Sequence, residues 1–581
     1  MFLFKKQLKL IEDSLDDNAI ENSKCKNFYK KLFNFNTKTN LIDEHVYRDL
    51  EIFDDFSNSK TNNNTIFEKI NKTKTITGNI YLFEKLKQPT NNIELLKKQQ
   101  NEINYAINSY NFLDSKIEII KQYEKILIPF CDNENDHTIV INNTLINFSY
   151  FKFLNENERF LNYYNNYNIF IPIYNILSPL IILLIPYIIS KLTFFKNLNF
   201  GKYSYYIKFL TLSIPSFSAA TFKNITTFLK TIFALFIYIF SLYNSTSFSL
   251  TTKTILSNVH QKLVNLKKIL LAITQLQTEF KNRIDIPLDN LNYKCLNNSI
   301  FDKPFSILSN KGLLLKTYNT IKNNNSNLKK ALLIIGKLDY LGGIANLVTN
   351  ENYTLVKFLK RNKPNLFIKN FKHPNLDNGI LNTLNIGLNE PNNILLTGPN
   401  AGGKSTCIKS LCLAVVFAQT LSIACCEKIY MTPFDYINTY INIYDIKGEK
   451  SLFENEMQRI SNHIEKLDTI DKKNKFSFII IDELFSGTNP KEGIASSYAI
   501  AEQLGSYNNS ISIITTHYNY LSKLSNYENY KMEMYRNNNN IEFTYKLKKG
   551  VSKDTIAIDL LKNKKFNSNI IEKALEIKKK L

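Results

Sequence analysis

The chain is 581 residues long, which suggests about four domains at roughly 150 residues each. Hydrophobic residues make up 44% and charged residues 21%, with 16 Gly and 14 Pro, so the composition excludes a wholly disordered, collagen-like or Pro/Gly low-complexity chain. Lys and Arg number 73 against 51 Asp and Glu, a net charge of +22 that favours an anionic partner, either nucleic acid or a membrane surface. That charge is unevenly spread. Between Arg159 and Thr278 there are eleven Lys or Arg and no Asp or Glu, and the same stretch holds the most apolar runs. The seven Cys are scattered without a CxxC pair, which reads as reduced thiols rather than a disulfide framework or a zinc site. The opening apolar run is too short for a signal peptide.

Residues 1–165 read as mostly helical. Leu82, Leu86, Ile93, Leu96 and Ile103 keep a spacing near 3.6, interrupted at Pro89. Residues 160–190 carry no charge, and as a helix 170–190 is long enough to cross about 30 Å of hydrocarbon. Pro172, Pro179 and Pro186 recur every seven residues, a pattern that a membrane helix tolerates better than a soluble one. A second uncharged window, 231–252, contains a shorter apolar run at 231–243. Together they predict a membrane-inserted hairpin over 166–252, with a buried pair of core helices as the alternative. Lys191, Lys196, Lys202, Lys208, Lys223 and Lys230 lie between the two runs, and a re-entrant or interfacial hairpin would avoid carrying them across. Ile255, Val259, Leu263, Leu266, Leu270, Ile273, Leu276 and Phe280 then mark a long amphipathic helix. A further helical segment spans 326–348. From about 364 to 548 the pattern turns to short β runs, glycine turns and helices, an α/β domain closed by C-terminal helices.

The α/β part carries the motifs. In NILLTGPNAGGKSTCIKSL (393–411) a strand runs into a Gly-rich loop and a helix start, and Gly398, Gly403, Lys404 and Ser405 have the Walker A spacing. Backbone N–H groups of 399–405 can wrap a phosphate at the helix N-terminus, with Gly402 and Gly403 leaving room for its approach. Lys404 is expected to reach the β- and γ-phosphates and Ser405 to ligate Mg²⁺. In FSFIIIDELFSGTNP (476–490) an apolar strand delivers Asp482 and Glu483 at its C-terminal edge, Asp482 for the Mg²⁺ shell and Glu483 as general base on a water. In ISIITTHYNYL (511–521) another strand ends at His517, which can contact a γ-phosphate or the attacking water.

TGPNAGGKST, then IDELFSGTNPKEG, then TTHY resemble the MutS family of ATPases, relatives of the ABC ATPases. The resemblance implies ATP and Mg²⁺ bound by Gly398, Pro399, Asn400, Ala401, Gly402, Gly403, Lys404, Ser405 and Thr406. Ser405 and Asp482 would serve the metal, and Glu483, His517 and Lys404 the catalysis. GEKSLFENEM (448–457) resembles the family's signature segment, which reaches the partner subunit's nucleotide, with Ser451 at its serine. Lys372-His373-Pro374 sits where the family has an element near the adenine. Residues 550–577 resemble the family's C-terminal helical closure, and 65–89 and 331–347 the start and end of its helical core. Several positions depart from the pattern. Ala401 stands for the usual Met, Leu452 for a frequent Thr, Asn489-Pro490 for Ser-Thr and Glu492 for Asp. No Phe-x-Glu occurs in the first hundred residues, and a mismatch-reading N-terminal domain is not expected before the helical core. The family's lever helices carry a DNA clamp, and here that slot is apolar.

The expected architecture is multidomain: an α-helical core and lever domain with an apolar helical hairpin insertion, followed by an α/β P-loop, ABC-type ATPase domain. The expected division is 1–165 for the helical core and ascending lever, 166–252 for the hairpin in the clamp position, 253–360 for the returning lever and core, and 361–581 for the ATPase domain. The implied function is an ATP-driven, clamp-like switch, a homodimer or MutS-family heterodimer. It would bind DNA through salt-sensitive Lys–phosphate contacts and without reading mismatches. The alternative is a membrane-anchored ATPase of the same family acting on protein or lipid-bound partners. Either way the ATPase domain is expected in the cytosol, membrane-associated through 166–252.

Overall fold

The computed structural model describes residues 41–53, 65–127, 130, 140, 142–193, 199–201, 203, 225–285, 294–323, 325–387, 391–399, 401–441, 452–485, 488–537, 540–552 and 566–580. They fall into two compact units. One takes residues up to 121, 276–288 and 332 onward, and the other 122–275 and 289–331.

Among its described residues the first unit holds twelve strands: β1 Thr354–Leu355, β2 Lys357–Phe358, β3 Leu366–Phe371, β4 Asn382–Ile386, β5 Asn393–Thr397, β6 Ile423–Ala424, β7 Lys428–Met431, β8 Tyr436–Tyr440, β9 Ser477–Asp482, β10 Ser510–Thr516, β11 Tyr527–Asn537 and β12 Asn540–Lys549. Six of them form one sheet in the order β12-β11-β5-β10-β9-β8. All neighbours in it are parallel except β11 and β12. Strands β5, β8, β9 and β10 are buried along almost their whole length, as apolar runs covered on both faces must be. Because side chains alternate, Leu395, Ile479, Ile481 and Ile514 point one way and join Ile460, Leu467, Ala501 and Leu504 of helices Leu452–Asp471 and Pro490–Gly505. Helix Lys404–Leu421 covers the opposite face and is buried along most of its length. The register sets Thr516 beside Thr397 and Thr515 beside Asp482, so three strands end level with one another. A second sheet runs β2-β7-β3-β4, and β1 pairs with β6.

The helical part of this unit follows its sequence pattern. Leu82 and Leu86 on helix Ile76–Leu86, and Leu96 and Ile103 on helix Ile93–Asn108, are fully buried, with Pro89 in the link between. The segments expected to open and close the core meet at Asp339. Its carboxylate accepts from the backbone N–H of Lys74 (2.9 Å) and of Thr75 (2.7 Å) and from the Thr75 hydroxyl (2.7 Å), so it fixes the start of helix Ile76–Leu86. Gly78 makes room for it, since a Cβ there would lie 2.1 Å from Asp339 Oδ2.

The second unit contains two long arms. The first, Glu158–Thr193, is an unbroken helix through Pro172, Pro179 and Pro186. The second, Ile225–Glu279, joins the 231–243 run to the amphipathic stretch without a break at 252. On it Val259, Leu263, Leu266, Leu270 and Ile273 are buried, as their spacing predicts. Above Ile169 on the first arm and Ser245 on the second, no described side chain of either arm is buried. Ten large apolar side chains between Ile173 and Leu192, and nine between Leu229 and Tyr243, are exposed. A buried pair of core helices, the alternative reading, therefore does not form, although each such side chain gains roughly 1.5–3 kcal/mol on full burial.

Asp339→Ala leaves the buried N–H of Thr75 and the half-buried N–H of Lys74 without their acceptor. It should lower stability by about 3 kcal/mol, read as a drop in the urea midpoint with an unchanged slope.

Candidate functional site

The loop after β5 leads into helix Lys404–Leu421 through Gly403, which holds φ at +88°. A side chain there would be strained, and its Cβ would lie 2.9 Å from the Tyr545 ring. Gly403 caps the helix without a side chain, and the first turn carries no acidic residue, so its N–H groups are left for an anion. Ala401 also sits at positive φ, +65°, and Gly402 N donates to the Pro399 carbonyl at 3.1 Å, which tightens the loop. Lys404 is buried. Its Nζ donates to the carbonyls of Gly398 (3.0 Å) and Pro399 (3.3 Å) and stands 3.4 Å from Glu483 Oε1.

Asp482 closes β9 and accepts a hydrogen bond from the Thr515 hydroxyl of β10. Glu483 follows at φ +55° and Phe485 at +51°, both left-handed. Such backbone costs of order 1–3 kcal/mol per residue and persists only where the surroundings enforce it. Here Glu483 N donates to Thr515 O (3.2 Å), Ser497 Oγ to Leu484 O (3.0 Å) and Tyr518 OH to Phe485 O (3.3 Å). Asn489 and Pro490, two of the departures from the family pattern, start the next helix. The Asn489 side chain accepts from Lys491 N at 3.1 Å and Pro490 takes the first helical position. His517 Nδ1 lies 3.6 Å from Glu483 Oε2. The His517 imidazole, then the Lys404 ammonium, hold the Glu483 carboxyl below its ordinary value, so it is ionised at neutral pH.

A cavity of about 1060 Å³ gathers these groups. Pro399, Ala401, Gly402, Gly403, Lys404, Ser405, Thr406, Asp482 and Glu483 line it, together with Lys372 and His373. His373 is half-buried, and its partial desolvation, with Lys409 nearby, lowers its imidazole to about 4, so it is neutral at physiological pH. Its Nδ1 accepts from Asn375 N at 3.3 Å. His517 meets Glu483 rather than the cavity wall. Asn400 and Ser451 lie outside the described residues. Chemically the cavity offers an anion cradle, a buried ammonium, and the oxygen donors of Ser405 and Asp482, which suit a hard divalent cation such as Mg²⁺.

The family pattern of MutS domain V matches residues 394–581, and so takes in this cradle and both carboxylates. The C-terminal part of the chain is similar to the MutS family. It is 30% identical over 274 residues to the endonuclease MutS2 of Streptococcus uberis, covering 46% of this chain and 33% of that protein. It is 28% identical over 284 residues to the DNA mismatch repair protein MSH3 of Saccharomyces cerevisiae, covering 45% and 26%. It is 30% identical over 256 residues to the DNA mismatch repair protein MutS of Aquifex pyrophilus, covering 43% and 29%. The matches thus span a third or less of the length of these relatives.

The MutS-type domain adds residues that the motifs did not reveal. Tyr440, Glu456, Met532 and Tyr545 line the same cavity. They come from β8, helix Leu452–Asp471, β11 and β12, and no local spacing ties them to the Gly-rich loop. Glu456 is the most unusual of them. It is buried, its Oε2 has no hydrogen-bond partner among the described residues, and burial pushes its carboxyl up to about 7. Tyr440 and Tyr518 are the titratable groups that feel its charge.

A carboxyl raised from 4.5 to about 7 contributes stability that is full below its unfolded value and is lost as pH rises through about 7. Glu456→Gln removes that loss. The variant should melt a few degrees above wild type at pH 8 and level with it at pH 5, by calorimetry at both pH values.

Proposed function

We propose that the MutS-type domain is a magnesium-dependent ATPase and that the protein acts as a MutS-like, DNA-related switch. The observation that carries this reading is the convergence of Lys404, Ser405, Asp482 and Glu483 on one cavity behind an uncapped helix N-terminus. The N–H groups of the first turn and Lys404 bind the phosphates. Ser405 and Asp482 would hold Mg²⁺, which would neutralise charge on the phosphate oxygens. Glu483, kept ionised, accepts a proton from the attacking water at a carboxylate oxygen. His517 positions Glu483, and neutral His373 offers a flat, uncharged face to the base. By the family resemblance, Ser451 completes the site of a partner subunit, which makes a homodimer or a heterodimer with another family member the working form. The net charge of +22 and the relatives' mismatch-repair names support DNA as the ligand, bound through phosphates. The exposed apolar arms favour a second output of the same switch, at a membrane.

Glu483→Gln should still bind Mg-ATP but turn over about a hundredfold or more slowly, because the water loses its base. Lys404→Ala should lose nucleotide binding itself. Equal single-turnover rates for wild type and Glu483→Gln would remove Glu483 from its role.

A further inference from the structure

Among the described residues, two helices are long and apolar enough to cross a membrane, and the fold treats them in opposite ways. The segment Ser326–Asn350 has a window of mean hydropathy 1.5 and buries 72% of it, as a core helix does. The segment Ile232–Glu279 has a window of mean hydropathy 1.3 and buries only 11%. The first arm behaves like the second. The arms run antiparallel, since Ser249 Oγ donates to Ile169 O (2.5 Å) and Tyr238 OH reaches Asn175 O (3.4 Å). Those two bonds also set the level at which burial ends on both helices.

We propose that the paired arms above this level are seated in the hydrocarbon of a lipid bilayer with anionic headgroups. Four observations carry it. The exposed stretch Ile173–Leu192 is about 30 Å long at ~1.5 Å per residue, and the second arm from Ile225 to Tyr243 about 27 Å, which matches a hydrocarbon core. Exposed side chains such as Ile176, Ile173, Leu177, Ile185 and Ile189 spread over more than half of the helix circumference. A helix lying on a surface, or docked on one protein face, would leave a polar side, and 170–190 and 231–252 contain no charge at all.

The third observation is the treatment of a freed carbonyl. Pro179 has no N–H for Asn175 O, and that oxygen instead accepts from Ser178 Oγ (2.7 Å) and Tyr238 OH. In hydrocarbon, where no water is available, such side-chain replacement is what keeps a proline-bearing helix intact. The fourth is the arrangement at the ends. Tyr167, Tyr174 and Tyr243 are exposed near the level where burial stops, as an interfacial aromatic belt requires. Arg159 and Lys253 are exposed on one side of the apolar band, and Lys191 lies over the Tyr187 ring (5.7 Å) at the other. No acid occurs between Arg159 and Thr278 to repel an anionic surface.

The chain contains no Trp, so one introduced Trp reports its own surroundings. Full-length Phe236→Trp, mixed with phosphatidylcholine vesicles holding a minority of phosphatidylglycerol, should emit at blue-shifted wavelength. Lipids brominated on the acyl chains should quench it at least about twofold. Wild-type protein should float with these vesicles and stay with them in alkaline carbonate. The double variant Leu184→Arg, Phe236→Arg should float at least about tenfold less while its Mg-ATP turnover matches wild type. Solvent-like, unquenched emission from Phe236→Trp would overturn the proposal. So would wild-type protein that is monodisperse without detergent and never floats, with the arms covered by a second copy. Turnover reads the ATPase proposal separately, so either proposal can fail alone.

Discussion

β10 pairs in parallel with β5 along one edge and with β9 along the other, and the site depends on that register. It brings Thr397, Thr516 and Asp482 to one end of the sheet, although they lie far apart in the chain. The Gly-rich loop leaves from the first of these strands, His517 follows the second and Glu483 the third. A slip of one residue would turn every side chain of a strand to the opposite face. It would bury the carboxylate of Asp482 under a helix and push Ile481 to the strand end. The register is held because all three strands are buried on both faces, and each face has its own helices to pack against. Core packing, rather than any contact within the cavity, therefore fixes the distance between Lys404 and Glu483.

The cavity stores cost that this packing supports. Glu483 and Phe485 are left-handed without being glycine, and Lys404 keeps its ammonium buried against two carbonyls and one carboxylate. A buried ammonium with those partners is satisfied but not saturated, since three donors face weak acceptors and a single anion. An incoming phosphate offers it more negative charge than Glu483 does. The exchange would free Glu483 toward His517, which already lies 3.6 Å from it. Residues apart in the motifs thus act on one another through a single buried charge.

What the sequence made legible follows from range. The Gly-rich loop, the Asp482-Glu483 strand end and the His517 strand end are local patterns, and each lies on the element its pattern predicts. The helical spacing of Leu82 to Ile103 and of Val259 to Ile273 was equally readable, because one buried stripe writes itself at every third or fourth position. Glu456, Tyr440 and Tyr545 were not readable, since they reach the cavity only through the order of strands and helices. Nor was the clamp of Asp339 on Thr75, which joins residues 264 apart. The continuity of the second arm through 252 was hidden for another reason. The apolar run and the amphipathic stretch differ in composition but share one backbone geometry, and composition alone suggested a boundary.

The two long apolar helix segments show the same limit from the other side. Ser326–Asn350 and Ile232–Glu279 are both long and apolar enough to span a membrane, and only the packing separates a core helix from an uncovered one. Function in the MutS-type domain rests on the opposite kind of feature, a few polar groups whose spacing is set by a dry core. The most direct test of that assembly is the affinity of a non-hydrolysable ATP analogue, measured calorimetrically with and without Mg²⁺ in wild type and in Asp482→Asn. If the register places Asp482 beside the same phosphates as Lys404 and Ser405, Mg²⁺ strengthens binding in wild type, and the variant loses that gain while keeping its Mg²⁺-free affinity. An undiminished gain from Mg²⁺ in Asp482→Asn would contradict the shared site.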